Sequence, residues 1–279
     1  MIAVSGVELC SETFGDLADP PILLVMGIGG SMLWWEEGFC RMLADRGRFV
    51  IRYDHRDTGR SVTYEPEHPE YTGADLVADA VGVLDAYDIE AAHVVGVSAG
   101  GALAQLLALG FPDRVLSLVL ISTSPAKPIG RSLPSPTERY REFLASADVD
   151  WSDQGSVIDY LTSYACMLEG SERRVDGAAL RELVRRDVER ARNIASSENH
   201  GSVAEGDTPS APLTSISVPT LVIHGTADPM FPLEHGQALV DEIPGARLLP
   251  LERSGHGVER ADWETIVGAV LAHTAGRAT

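Results

Sequence analysis

Residues 92–104 read AHVVGVSAGGALA, an apolar run that ends in Gly96-Val97-Ser98-Ala99-Gly100 and passes at once into a small-residue helical pattern. Val94, Val95 and Val97 are β-branched and suit a buried parallel strand, while Ala99 to Leu109 is almost all Ala, Leu and Gly and suits a buried helix. Few folds use a strand that turns this sharply into a helix. The glycines on either side leave no Cβ where the turn is tightest, and Ser98 is then pushed into a strained conformation that stands proud of the strand end. The pentapeptide alone is a weak sign, and the bland alternative is a glycine-rich turn with an incidental serine. Its strand-to-helix context gives it weight.

Strand-like runs recur at Val7 to Phe14, Ile22 to Met26, Phe49 to Tyr53, His93 to Val97, Leu116 to Ser122, Thr220 to His224 and Arg247 to Leu251. Helical patterns lie between most of them, near Glu36 to Asp45, Ala74 to Tyr87, Ala99 to Phe111, His235 to Glu242 and Trp263 to His273. Short apolar strands alternating with amphipathic helices predict an α/β fold, with a mostly parallel sheet covered by helices on both faces. The opening Val7 to Phe14 run alternates more strictly and reads as an antiparallel edge. The alternation breaks once. Residues 124–217 form a candidate α-helical lid, dividing a core of residues 1–123 and 218–279. The lid begins Pro- and Ser-rich, offers helices near Thr137 to Ala147, Gly155 to Leu168 and Ala178 to Asn193, and returns through a loose stretch from Ser196 to Ala211. Its apolar content looks too thin for an independent domain, so a cap over the strand ends is expected.

The chain has 279 residues and a formal charge of −19, which argues against nucleic acid and anionic membrane surfaces as partners. No run approaches the roughly 20 apolar residues of a membrane span, and Met1 to Gly15 lacks the pattern of a signal peptide, so a cytoplasmic protein is expected. Cys10, Cys40 and Cys166 are far apart and odd in number, which predicts buried reduced thiols rather than a disulfide framework or a zinc site. Self-association as a homodimer stays open.

A serine hydroxyl becomes a useful nucleophile only beside a general base, which in turn needs an orienting carboxylate. Thr220-Leu-Val-Ile-His-Gly-Thr-Ala-Asp228 supplies an acid four residues past a strand, and Ser254-Gly255-His256-Gly257 follows the next strand. Asp228 and His256 are therefore the expected partners of Ser98. The bland readings are a turn-forming Asp before Pro and an exposed loop histidine. Asp241 and Asp262 lie in helical patterns and are poorer candidates. An oxyanion needs backbone donors: the Ala99 N–H follows the serine, and Met26-Gly27-Ile28-Gly29-Gly30 allows a close approach that favours the Ile28 N–H. Met32 stands where the third glycine of a dinucleotide loop would be, so no cofactor is expected. Gly27, Gly29, Trp34 and Trp35 are candidates to line a substrate pocket, although paired tryptophans are as often core. Tyr53-Asp54-His55-Arg56-Asp57-Thr58-Gly59-Arg60-Ser61 is polar enough to suggest a metal, but a strand-end loop held by Asp and Arg pairs is the stronger reading, and no metal is expected. His224 reads as structural, and His200, in the loose return segment, has no readable role.

Met26-Gly27, the Tyr53 to Ser61 run, Asp79-Ala80-Val81, His93-Val94-Val95-Gly96, Val218-Pro219-Thr220-Leu221-Val222-Ile223 and Gly255-His256 together resemble the aclacinomycin methylesterase branch of the α/β-hydrolase superfamily. The resemblance runs from about Val7 to Thr274 apart from the lid. It implies the α/β-hydrolase fold, with a mostly parallel eight-stranded sheet and an α-helical lid, and cleavage of a polyketide methyl ester with Ser98 as nucleophile, His256 as base and Asp228 as its partner. It also departs from the pattern. Met26-Gly27 stands where the superfamily often has His-Gly, and Ala99 where that branch tends to carry Met; neither change removes a backbone donor. The expected function is thus a serine hydrolase acting on a small or medium hydrophobic carboxylic ester, with that small molecule as its partner. A lactonase, a C–C bond hydrolase or a cofactor-free haloperoxidase or perhydrolase would use the same triad. A non-catalytic ligand-binding protein on the same fold is the reading of another class.

Overall fold

The computed structural model describes residues 1–169 and 175–275. The chain runs β1 (Ile2–Val4), β2 (Val7–Leu9), β3 (Ser11–Phe14), β4 (Pro21–Val25), α1 (Glu37–Ala44), β5 (Phe49–Tyr53), α2 (Gly73–Ala86), β6 (Ala92–Val97), α3 (Ala99–Gly110) and β7 (Val115–Ile121). An insertion follows with α4 (Glu138–Ala145), α5 (Gln154–Leu168), α6 (Gly177–Arg190) and a 3-10 run over Ile194–Gly201. The chain then completes β8 (Thr220–Gly225), α7 (Glu234–Glu242), β9 (Arg247–Leu251) and α8 (Trp263–Thr274).

The main sheet has seven strands in the order β3-β5-β4-β6-β7-β8-β9. All neighbours are parallel except β3, which pairs antiparallel with β5 through Ser11↔Tyr53 to Phe14↔Val50. The main sheet thus has one strand fewer than the eight that the resemblance implies, and the chain leaves it at Cys10. Its N–H donates to Ser61 Oγ and its carbonyl accepts from Asp54 N–H, which breaks the Val7 to Phe14 run in two. The first piece folds back on β1 as a separate hairpin, through a turn in which Ser5 and Gly6 take positive φ. Only the second piece joins the sheet.

β5, β6 and β8 are buried at every position, as strands covered on both faces must be. Alternate side chains feed two cores. Leu23, Val25, Ile51 and Val94 pack on one face with Val77 and Val83 of α2, Leu107 of α3 and Leu239 of α7. Ile22, Leu24, Val50 and Val95 pack on the other with Phe39 and Leu43 of α1 and Ile266 and Val270 of α8. The α2 start is set by a capping box between Thr72 and Asp75. Cys40 is buried, whereas Cys10 and Cys166 are half-buried, and all three are free thiols. Among the described residues no helix is long and apolar enough to cross a membrane.

The insertion, expected over residues 124–217, joins β7 to β8, and its residues 170–174 lie outside the described residues, as do 276–279 of the core. Its three expected helices are present within a few residues of the predicted bounds. The loose return stretch is partly ordered as the 3-10 run.

Candidate active site

Ser98 caps α3 with φ 54° and ψ −125°, a left-handed conformation that costs a non-glycine residue about 1–3 kcal/mol. The surrounding backbone holds it there. Ser98 N–H donates to Ile121 O at 2.9 Å, and Ser98 O accepts from Gly101 N–H at 2.9 Å and from Thr123 Oγ1 at 2.6 Å. The flanking glycines are needed for close approach: a Cβ on Gly96 would lie 2.3 Å from Gly100 O, and one on Gly100 would lie 2.2 Å from Val25 O.

Asp228 and His256 come from the loops after β8 and β9 and meet at 2.8 Å through His256 Nδ1 and Asp228 Oδ2. The other carboxylate oxygen accepts from the Met230 and Phe231 amides at 2.9 and 2.8 Å, which orients the group. Burial of Asp228 disfavours its charge, but the His256 ring and these amides outweigh that and hold its pKa below the usual carboxylate range. A charged Asp228 accepts a hydrogen bond from His256 Nδ1–H, which keeps the proton on Nδ1 and leaves Nε2 with its lone pair free. His224 Nε2–H donates to Phe231 O at 2.7 Å and so shapes the acid loop, in keeping with its structural reading. The His256 loop is tied down rather than loose: His256 N–H donates to Leu168 O at the end of α5, and Gly257 N–H to Ser122 Oγ. Ser98 and His256 line the same cavity, and Ser98 Oγ makes no hydrogen bond among the described residues. The poorer acids are otherwise engaged: Asp241 pairs with Arg131, and Asp262 accepts from Ser254 Oγ.

Gly27 packs directly on the serine, since a Cβ there would lie 3.1 Å from Ser98 Cβ. Of the loop amides, Gly30 N–H turns back to Gly27 O at 3.4 Å, and Gly29 N–H donates to His200 Nδ1 at 3.0 Å. Ile28 N–H has no partner among the described residues, and Ala99 N–H, first in α3, has no intrahelical carbonyl behind it. Both expected donors are therefore unengaged beside Ser98.

The cavity measures about 1270 Å³, above the usual range for a small-molecule site. Gly27, Gly29 and Trp34 line it, and Trp34 Nε1–H donates to Asp187 on α6 at 2.8 Å. Trp35 lies in the lining as well, from within the core: it is 1% exposed and packs at a tilt on Phe39, with ring centroids 5.6 Å apart. The insertion supplies the opposite wall through Tyr140, Tyr160, Tyr164 and Leu161. These residues gave no sequence signal beyond helical spacing. Neither did His200, which ties the insertion to the glycine loop.

The Tyr53 to Ser61 loop is held by ion pairs, as expected. Arg56 meets Asp79 at 2.7 Å, and Asp54 meets Arg190 of α6 at 2.8 Å. Asp57 accepts from the Tyr71 hydroxyl and from Asn199 Nδ2, both at 2.9 Å.

The model of the alpha/beta hydrolase fold matches residues 20–258. A rhodomycin D methylesterase of Streptomyces sp. (strain C5) is 34% identical over 292 aligned positions, covering 98% of this chain and 97% of its own. The rhodomycin D methylesterase of Streptomyces peucetius is 32% identical with the same coverage of both chains, 98% and 97%. Among solved structures, a meta-cleavage product hydrolase from Pseudomonas fluorescens superposes with a TM-score of 0.76 at 23% identity, covering 98% of this chain and 96% of that one, a likeness of fold alone. With the family model spanning most of the chain and relatives matched over nearly their whole length, the chain belongs to the alpha/beta hydrolase fold family and is a hydrolase of that class.

Proposed function

We propose that the protein is a carboxylic ester hydrolase that works through an acyl-enzyme on Ser98, with a methyl ester of a large hydrophobic compound as substrate. Ser98 Oγ attacks the ester carbonyl while its proton passes to His256 Nε2. The negative oxygen meets the Ile28 and Ala99 amides, each contributing about 3 to 4 kcal/mol. The carbonyl re-forms, the ester C–O bond breaks, and His256 returns the proton to the departing alcohol. Water then repeats the sequence on the acyl-enzyme, releasing the acid and restoring Ser98. Asp228 stabilises the imidazolium in both halves. The insertion acts as the lid that encloses the substrate.

The observation that carries this reading is the 2.8 Å contact of His256 Nδ1 with a charged, amide-anchored Asp228, beside a serine held at φ 54°. The full-length relatives named as rhodomycin D methylesterases support a methyl ester, and a cavity of about 1270 Å³ walled by Tyr140, Tyr160 and Tyr164 suits a bulky aromatic partner. A fluorophosphonate probe tests the nucleophile. A stoichiometric adduct on Ser98, absent in Ser98→Ala together with all turnover of a methyl-ester panel, is expected. Folded wild type without an adduct would overturn the reading in favour of a non-catalytic binding protein.

A further inference from the structure

We propose that His200, on the insertion, is a positioning residue for the oxyanion hole: by capturing the Gly29 N–H it sets the direction of the neighbouring Ile28 amide. The inference rests on the ester-hydrolase reading and on Ile28 as donor. Nδ1 lies 3.0 Å from Gly29 N, and Nε2 lies 2.8 Å from Arg56 O. A carbonyl can only accept and an amide N–H can only donate, so the two contacts together demand one tautomer, with the proton on Nε2 and a bare lone pair on Nδ1.

The loop needs such a restraint. Gly27, Ile28 and Gly29 have little of their own to hold them: among the described residues the turn closes through the long 3.4 Å bond from Gly30 to Gly27, and Gly29 sits at φ +69°. A second histidine holds the other end, since His55 Nε2–H donates to Met26 O at 3.0 Å, and the two rings meet edge to face at 5.9 Å. Gly27 and Ile28 are thus bracketed between His55 from the core and His200 from the insertion. His200 is itself placed firmly. Asn199 beside it donates to Asp57 Oδ2 and to Glu65 O, Ser196 Oγ donates to Tyr64 O, and Tyr71 packs on the ring at 6.4 Å.

The groups facing the ring are His55, Tyr71, Asp57 and the Arg56 backbone. Burial lowers the His200 pKa, and the Arg56 carbonyl and Asp57 oppose this without reversing it, which keeps Nδ1 free to accept. A donor held about 1 Å off its mark loses much of its effect on a developing charge, whereas ground-state binding depends on the whole cavity. His200 should therefore act on kcat.

The test compares His200→Phe, which keeps a ring against His55 and Tyr71 but has no acceptor, with His200→Asn, whose amide oxygen can take the Gly29 N–H. The readouts are kcat and KM on 4-nitrophenyl butyrate, the rate of fluorophosphonate labelling, and Tm. The expected result for Phe is kcat and labelling down about 10- to 100-fold with KM within about threefold and Tm nearly unchanged, and for Asn a recovery of at least about fivefold. Phe with kcat within about threefold of wild type overturns the proposal, as does a loss equal in both variants or one that tracks a fall in Tm. Should His200→Phe fail to fold, His200→Ala with added imidazole replaces it: restored turnover supports the proposal and no restoration overturns it. Wild type that labels on Ser98 and turns over while the variants do not differ defeats this inference alone. Wild type that never labels defeats the ester-hydrolase reading beneath it.

Discussion

Ser98 and Glu169 show how far a single side chain's behaviour depends on what surrounds it. The strain at Ser98 was readable from Gly96 and Gly100, whereas Ile121, Thr123 and Val25, which complete the frame around it, were not. Glu169 was not readable at all. It follows α5, where Leu168 O holds the His256 amide and Gly255 approaches so closely that a Cβ would lie 2.2 Å from Leu168 O. Burial there, with Glu259 nearby and Arg260 opposing, raises the Glu169 pKa from 4.5 to about 7. Glu169 then binds more protons in the folded than in the unfolded chain between those values, so its contribution to stability is fullest below about pH 4.5 and is lost as pH rises through about 7. Glu169→Gln removes the charge that develops. Its Tm should exceed wild type by about 2–4 °C at pH 8 and match it near pH 4.5, measured by thermal unfolding. An equal shift at both values would assign the effect to packing rather than to titration.

At the scale of elements, α6 is fastened to the core at its C-terminal end. Its last turn sends Arg190 to Asp54 and receives Trp34 on Asp187, and just beyond it Arg192 N–H donates to Gly59 O at 2.9 Å. By contrast α4 and α5 pack on each other through Phe143, Tyr160 and Tyr164. Arg190→Leu would leave Asp54 buried with its Met32 and Arg60 amides but no counter-charge. We expect a loss of about 3–5 kcal/mol in urea unfolding, with faster proteolysis of the insertion. A loss under about 1 kcal/mol would mean that the two amides suffice. The spacing of apolar residues foretold all three helices, since amphipathic periodicity is local. It did not foretell which face met what, because Asp54 and Arg190 are separated by most of the intervening core and neither carries a signal without the other. The same limit split the first predicted strand, where Cys10 turned to Ser61 and Asp54 rather than to a neighbouring strand.

For the whole molecule, a net charge of −19 goes with a cavity whose wall carries Glu36, Asp176, Glu252 and Glu259 beside Arg253 and Arg260, while burial raises the pKa of the lining Glu169, Asp187 and Glu198 and lessens their charge. Such a site disfavours substrates that carry their own negative charge. A neutral 4-nitrophenyl butyrate should exceed the corresponding hemisuccinate in kcat/KM by at least about tenfold at low ionic strength, and the gap should narrow in about 0.5 M salt as the field is screened. A ratio near one, or one indifferent to salt, would refute electrostatic selection. From β4 onward the succession of strands and helices, the strained serine turn and the order of Ser98, Asp228 and His256 were legible in the sequence, because strand and helix periods, glycine turns and strand-end loops are written within a few residues of each other. The folded chain alone reveals that Asp228 meets His256 Nδ1, that Trp34 reaches Asp187 across the cavity wall, and that His200 holds the Gly29 amide. Those outcomes depend on contacts between residues far apart in the chain, and such contacts leave no periodic trace in either partner's own neighbourhood.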